Sequence, residues 1–178
     1  MNALVILAIG LGLAATAVLG YAATKPNELR CQRSISVQAP PEKVFALIND
    51  LHRWDSWSTD GPTGAGTTRT YEGAPAGRGA VSAWEGSGKV GKGRMEIKES
   101  AFPRRIVVEV DFERPFKAHN LNEFTLNAVG SSTELTWAWR GKNIYLGKVL
   151  SLVTDMDKML GKHFETGLAN LKALAEER

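Results

Sequence analysis

The sequence predicts an α+β domain in which a curved antiparallel sheet of about seven strands wraps round a long C-terminal helix. Six short segments between Thr67 and Trp139 alternate apolar and polar residues, and no helical segment separates them. This order is typical of an antiparallel meander. From Tyr145 onward, apolar residues recur every three or four positions over roughly thirty residues, which predicts an amphipathic helix. Because such a sheet buries one face, we expect the helix to cover that face.

Two further elements are predicted before the meander. The segment RSISVQA alternates like a half-buried strand, and Pro40-Pro41 ends it. The segment EKVFALIND then has its apolar residues at helical spacing, and a proline in the first turn suits the start of a helix. These elements complete the predicted order of strand, short helix, six strands and long helix.

A separate apolar segment precedes this domain. Residues 3–23, ALVILAIGLGLAATAVLGYAA, contain no charged side chain. As a helix they would extend for roughly 31 Å, enough to cross the hydrocarbon core of a bilayer. A secretory signal peptide is the alternative, but it usually begins with basic residues and has a shorter apolar region. We therefore predict an uncleaved transmembrane helix within residues 1–24, a linker over 25–32 and a domain over 33–178.

The charges that flank the apolar segment bear on its orientation. Lys25, Arg30 and Arg33 follow it, whereas only the terminal amine precedes it. Positively charged flanks tend to remain on the cytoplasmic side of a membrane. The sequence therefore predicts a single-pass membrane protein whose domain faces the cytoplasm.

Composition and motifs exclude several classes of partner. The net charge of +3 is not gathered into a lysine and arginine cluster, so no nucleic-acid site is predicted. The three histidines, His52, His119 and His163, fall on different predicted elements, which argues against a metal site. The single cysteine, Cys31, excludes an internal disulfide. We predict neither a metal nor a cofactor.

One glycine-rich stretch has the form of a nucleotide-binding loop. Gly86 to Gly91, GSGKVG, fits the spacing G-x-G-x-x-G, but that motif needs a helix immediately after it. The residues that follow alternate as a strand, and Gly93 stands where a phosphate loop would need serine or threonine. We therefore predict a β-hairpin loop without nucleotide binding.

The inward faces of the predicted strands are mainly apolar, which suits binding of a hydrophobic ligand better than proton transfer. The ionisable residues that remain candidates for catalysis are Arg69, Tyr71, Glu96 and His119. The predicted cavity lining consists of Trp54, Trp57, Tyr71, Trp84, Met95, Ile97, Val108, Val110, Phe124, Leu126, Trp137, Met156, Leu160 and Phe164.

The tryptophans in this set have two interpretations. Trp54 and Trp57, in the stretch LHRWDSWS, lie one helical turn apart, so their rings can turn to the same side. They could close the small end of the core, or they could contact a ligand or a membrane at the open end of the cup. Trp84 and Trp137 could likewise pack in the core or line the cavity.

Several stretches resemble the START/polyketide cyclase-like superfamily (SRPBCC), and more narrowly its bacterial members with one N-terminal membrane helix. They are VQAPPEKVFALINDLHRWDSWS, GAVSAWEG, VGKGRMEI and DKMLGKHFETGLANLKALAEE. The resemblance implies a helix-grip fold around a cavity that binds lipids, polyketides, quinones or other apolar molecules.

Three functions follow from these observations. The first is a membrane-anchored binding protein for a hydrophobic small molecule, with residues 3–23 in the membrane. The second is an enzyme of the polyketide cyclase or dehydratase type, which requires an ionisable group inside the cavity. The third is a START-like protein-interaction module, which requires a large exposed apolar patch. The apolar inward faces favour the first.

Overall fold

The computed structural model describes residues 2–59, 67–87, 90–152 and 154–177, without the side chains of residues 4–8, 14, 15 and 156. The helices are α1 (Ala3–Ala23), α2 (Pro41–Asn49), α3 (Tyr145–Leu150) and α4 (Met156–Glu176), and a 3-10 helix spans Leu51–Ser56. The strands are β1 (Glu28–Val37), β2 (Thr68–Gly73), β3 (Ala80–Glu85), β4 (Lys92–Ala101), β5 (Arg105–Arg114), β6 (Ala118–Val129) and β7 (Ser132–Lys142).

The seven strands form one antiparallel sheet in the order β1-β7-β6-β5-β4-β3-β2. Strands β2 to β7 pair with their neighbours in sequence, which confirms the predicted meander. Strand β1 joins the sheet beside β7, at the opposite edge from β2. Helix α4 packs against β1 with its apolar face buried and covers the concave side, so the predicted α+β architecture is confirmed.

The register of the strands confirms which residues face inward. Phe124 lies opposite Trp137, and Leu126 lies opposite Leu135; all four are buried. On β5 the predicted alternation also holds, since Val108 and Val110 are buried whereas Glu109 is partly exposed on the other face. The sheet therefore has an apolar inner face and a polar outer face.

Two predicted boundaries differ from the structure. Strand β1 begins at Glu28, so most of the predicted linker over 25–32 belongs to the sheet. The predicted helix of roughly thirty residues is two helices, because Asp155 acts as an N-terminal cap. Its side chain accepts a hydrogen bond of 3.1 Å from the backbone N–H of Lys158, which starts a new helix there.

Helix α1 extends over all 21 residues of the charge-free segment. Its last turns meet α3, where the Tyr145 hydroxyl donates a hydrogen bond of 2.8 Å to the Leu19 carbonyl. Among the residues whose side chains the structure describes, which exclude residues 4–8, 14 and 15 of α1, no helix is both long enough and apolar enough to span a membrane.

Arg33, in strand β1, links the sheet to α4 through two ion pairs. Its guanidinium lies 2.9 Å from a carboxylate oxygen of Asp157 and 2.8 Å from one of Glu165. Gly161 makes this approach possible, since a Cβ there would lie only 1.9 Å from Arg33 Nη2. The glycine, which is unfavourable within a helix, is thus explained by the side chain that crosses it.

This ion pair predicts a pH-dependent contribution to stability. Hydrogen bonds from Arg33 hold the pKa of Asp157 below its ordinary value of 3.8. A carboxylate whose pKa is lowered by folding stabilises the fold above its unfolded pKa, and this contribution disappears as the pH falls through the lowered pKa. We therefore expect Asp157→Asn to lower the urea midpoint at pH 7 and to have less effect below pH 3.8. Arg33→Gln should remove the same dependence; a midpoint difference unchanged between the two pH values would contradict the assignment.

Candidate functional site

A cluster of buried aromatic rings occupies the centre of the core, between the concave face of the sheet and α4. Its members are at most 2% exposed: Trp54, Trp57, Phe124, Trp137 and Phe164. The Trp137 ring stacks on Phe164 at 4.3 Å between centroids and lies 5.8 Å from the Trp57 ring. Such contacts stabilise a core beyond the burial of apolar area alone. The cluster ties α4, the sheet and the 3-10 helix together.

The two tryptophans of the LHRWDSWS stretch are held by the end of α2. Trp54 Nε1 donates a hydrogen bond of 2.7 Å to the Ile48 carbonyl, and Trp57 Nε1 donates one of 3.1 Å to the Leu47 carbonyl. Carbonyls in the last turn of a helix lack partners within the helix, so these indoles satisfy them. The geometry fits the core-packing interpretation of both rings. Contact of either ring with a ligand stays a prediction.

The other predicted lining residues also gather on the inner face. Trp84, Met95, Ile97, Val108, Val110 and Leu126 are buried in the same core, and Leu160 is partly buried against it. Tyr71, in the middle of β2, is more exposed. The side chain of Met156 lies outside the described residues. The structure thus brings the described members together on one side of the sheet, and their contact with a ligand stays a prediction.

Arg69 is a charged residue on this apolar face. Its side chain is only 11% exposed, and neither terminal nitrogen of its guanidinium makes a hydrogen bond. The Asp55 carboxylate lies 2.9 Å from Nη1, close enough for an ion pair but not aligned for a hydrogen bond. Burying a guanidinium without hydrogen bonds costs free energy, so the terminal N–H groups of Arg69 are available to donate to a bound ligand.

Ser82 is a second polar residue on this face whose side chain makes no hydrogen bond. It is fully buried, and its hydroxyl makes no hydrogen bond. On the paired strands β2 and β3, Tyr71 lies opposite Ser82 and Arg69 lies opposite Trp84. Arg69 and Ser82 are therefore diagonal neighbours on one face, roughly 7–8 Å apart at their backbones. Buried polar groups are nearly always hydrogen-bonded, so two exceptions side by side mark a candidate binding site.

Of the two polar residues at this site, the sequence predicted one. Arg69 was among the candidate ionisable residues, but Ser82 was missed. The available signal was alternation within GRGAVSAWEG, which puts Ser82 on the same face as Trp84. Asp55 could not be found in this way, because its place beside Arg69 depends on how the 3-10 helix packs on the sheet.

Two of the remaining candidates for catalysis, Glu96 and His119, do not join this site. Glu96 lies on the outer face, where a hydrogen bond from Lys98 lowers its pKa. A catalytic acid would need the opposite shift. His119 is also on the outer face, with Nδ1 2.7 Å from a carboxylate oxygen of Asp111. Neither side chain can act on a molecule held at the inner face.

Tyr71 lines a cleft of about 220 Å³ at the end of the sheet away from α1. The His52 ring stacks on the Tyr71 ring at 3.8 Å, and His52 Nδ1 lies 3.0 Å from Asp50 Oδ1. The same carboxylate oxygen accepts a hydrogen bond from the backbone N–H of His52, as a cap for the 3-10 helix. The arrangement thus has a structural role, and His52 is exposed to solvent.

Cys31 is predicted to be chemically inert in the folded chain. Burial raises the pKa of its thiol from 9.0 to about 11. Only the thiolate reacts with disulfide reagents, and a shift of this size reduces its concentration at pH 8 by about a hundredfold. We expect a disulfide reagent to label Cys31 at least that much more slowly in the native protein than in urea. Labelling at the same rate in both conditions would contradict this.

Together, the seven-stranded antiparallel sheet and the long helix in its concavity define a helix-grip protein. Residues 28–176 match the family described as "Polyketide cyclase / dehydrase and lipid transport", and the chain belongs to that family. This confirms the resemblance to the SRPBCC superfamily. No curated protein matches the chain significantly in sequence.

Solved structures share the fold at low sequence identity. Protein CV1439 from Chromobacterium violaceum has a TM-score of 0.58 at 18% identity, over 86% of this chain and 100% of its own. The Mll3558 protein from Rhizobium loti has 0.57 at 20%, over 82% and 96%. Protein jhp0584 from Helicobacter pylori has 0.64 at 8%, over 88% and 92%. At these identities the likeness concerns the fold alone.

Proposed function

We propose that this protein binds a hydrophobic small molecule that carries one polar acceptor, such as a carboxylate or a carbonyl, on the inner face of its sheet. The observation that carries the proposal is that Arg69 and Ser82, two polar groups on an otherwise apolar face, make no hydrogen bond at the Arg69 terminal nitrogens or at the Ser82 hydroxyl. Small-molecule sites are typically apolar with a few placed polar groups that fix the orientation of the ligand.

The chemistry of the two groups indicates the polar end of the ligand. A guanidinium offers several N–H donors in a planar fork, which matches a carboxylate or another oxygen acceptor. The Ser82 hydroxyl can donate to the same group. Trp84 and Met95 lie beside these residues in the register and supply apolar contacts for the rest of the molecule. An amphipathic ligand such as a fatty acid, a quinone or a polyketide has this pattern.

Binding is better supported than catalysis. The guanidinium of Arg69 is a hydrogen-bond donor without an acceptor atom, so it can hold and orient a ligand but offers no general base. Of the other candidates, Glu96 and His119 lie on the outer face, and Tyr71 stacks on His52 near the surface. General acid–base catalysis requires a group that titrates close to the reacting atom. The titratable group beside Arg69 is the Asp55 carboxylate, which is half exposed and forms an ion pair with the guanidinium at 2.9 Å, so it serves as the counter-ion of Arg69.

The proposal includes a membrane tether. Residues 3–23 carry no charge, and a helix of this length extends for roughly 31 Å. A tether would keep the domain at the membrane surface, where apolar ligands concentrate. The basic residues that follow α1 favour the cytoplasmic side.

The test uses the full chain, purified in mild detergent from the membranes of its native host. Native mass spectrometry followed by extraction should find one bound molecule per chain with an apolar body and an oxygen acceptor at one end. A chain that carries no ligand and takes up neither oleate nor ubiquinone nor an aromatic polyketide would overturn the binding proposal. Alkaline carbonate extraction tests the tether separately, because release of the chain into the supernatant would contradict a membrane-spanning α1.

A further inference from the structure

We infer that the end of the domain next to α1 is a membrane-contacting surface, formed by an apolar rim with basic residues beside it. The rim consists of four residues: Phe116, Ile144, Leu146 and Leu150. The inference rests on the proposed membrane tether and adds a second contact, between the folded domain and anionic lipid at the bilayer surface.

The strand register places the rim at the end of the sheet where α1 enters. Glu28, the first residue of β1, pairs with Lys142, the last residue of β7, and Ile144 follows two residues later. Phe116 lies in the turn between β5 and β6, whose adjoining residues Phe112 and Ala118 are paired. Strand β6 in turn pairs with β7, so the turn stands at the same end of the sheet, two strands away from β1.

The rim residues are large and exposed. Phe116 is 72% exposed, Leu146 58%, Ile144 52% and Leu150 49%. Single exposed apolar residues are common on protein surfaces, but several at one end of a domain mark an interaction surface. Each would gain free energy by leaving water for the acyl boundary of a bilayer.

Hydrogen bonds fix the position of the rim relative to the C-terminal end of α1. The Tyr145 hydroxyl donates to the Leu19 carbonyl at 2.8 Å, one turn before α1 ends at Ala23. Just beyond α1, the Asn143 side-chain amide donates to the Pro26 carbonyl at 2.9 Å. Helix α3 is thus attached at the C-terminal end of α1. If α1 spans the bilayer, this level is the lipid headgroup region, where tyrosine is also enriched.

The charges at this end suit an anionic surface. Glu28 is paired with Arg30, and Glu113 lies 3.7 Å from Lys92. Among the described residues, Lys117 and Lys142 have no carboxylate partner within ion-pair distance. Basic residues next to a membrane span attract acidic lipid.

A groove of about 480 Å³ beside the rim contains Lys142, one of these two lysines, together with Leu121. Its lining also includes Arg140, which lies 3.6 Å from Glu123, and His119, which lies 2.7 Å from Asp111. The groove begins at Asn27 and Glu28, directly after α1, and therefore lies next to the proposed headgroup region. A lipid phosphate fits this combination of donors better than a peptide does, because the rim at the same end supplies the apolar contacts of the acyl boundary.

The test places a fluorescent reporter on the full chain in vesicles of phosphatidylcholine and phosphatidylglycerol. Cysteine is introduced at Phe116 or at Leu146 and labelled with a nitrobenzoxadiazole dye; the native Cys31 is buried. Val129→Cys is the matched control, because Val129, the last residue of β6, is 59% exposed at the opposite end of the sheet. Nitroxide-bearing lipid should quench the dye at positions 116 and 146 and leave it unchanged at 129.

Two outcomes would overturn the inference: no quenching at positions 116 and 146, or equal quenching at all three positions. The same vesicles are extracted with alkaline carbonate to test the tether. If the chain is released, the tether fails, but the dye still reports whether the rim contacts lipid, since a peripherally bound domain is quenched as well. Failure of the rim and failure of the tether are therefore distinguishable.

Discussion

Replacing Trp137 with alanine is expected to lower the free energy of unfolding by about 3–5 kcal/mol. The ring is completely buried, and it contacts Trp57, Phe124 and Phe164. Its removal leaves a cavity where the sheet, α4 and the 3-10 helix meet. It also leaves Asn122 Oδ1, which accepts a hydrogen bond of 2.8 Å from Trp137 Nε1, without that partner. Urea titration of the full chain in mild detergent, followed by circular dichroism, measures the loss.

Trp139→Ala is the matched control for this variant. Trp139 lies two residues further along β7 and is only partly buried, so its loss should cost clearly less. Trp137→Phe separates the two contributions, because it retains an aromatic ring but removes the donor to Asn122, at about 1–3 kcal/mol. Equal losses for Trp137→Ala and Trp139→Ala would show that the aromatic cluster does not dominate the stability of the core.

Replacing Arg69 with methionine is expected to weaken ligand binding by about ten- to a hundredfold. A hydrogen bond to a charged group contributes about 1.5–3 kcal/mol, and each 1.4 kcal/mol is a factor of ten. The stability of the free protein should not fall, because the guanidinium makes no hydrogen bond at its terminal nitrogens and its burial is costly. Reduced affinity without reduced stability is the result expected of a side chain retained for binding. Titration with the ligand identified by extraction, alongside urea unfolding, measures both quantities.

Arg94→Met provides the control for the change in charge and volume. Arg94 is also on the sheet but faces outward, where it bonds to Glu96. Its replacement should leave binding unchanged. If Arg69→Met bound the ligand normally, the proposed site would be wrong. If the variant instead lost several kcal/mol of stability, the Arg69–Asp55 pair would be a structural element of the fold.

The sheet could be predicted from the sequence because its signal is local. Alternation along β5, β6 and β7 gave the inner and outer faces correctly, since side chains on a strand alternate with a period of two. The break between α3 and α4 was not predicted, because the apolar spacing continues through it. There the capping hydrogen bond from Lys158 to Asp155 overrides the helical pattern.

The candidate site was less predictable because its defining property is non-local. The sequence shows that Arg69 and Ser82 can share a face, but it does not show that the terminal nitrogens of Arg69 and the hydroxyl of Ser82 make no hydrogen bond. That depends on the alignment of Asp55 from a different element. The roles of Trp54 and Trp57 were open for the same reason, since the carbonyls that accept their N–H groups belong to the end of α2.

The position of β1 has a consequence for how the chain folds during synthesis. This strand follows α1 directly, yet its only partner in the sheet is β7, and a pair such as Ser34 and Thr136 is separated by 102 residues. The contact order of the domain is therefore high, and contacts of this range form slowly. The ribosome releases β1 long before β7, so the strand that directly follows α1 stays unpaired until β7 has been made. During that interval, its open edge needs protection from other chains, which a chaperone can supply.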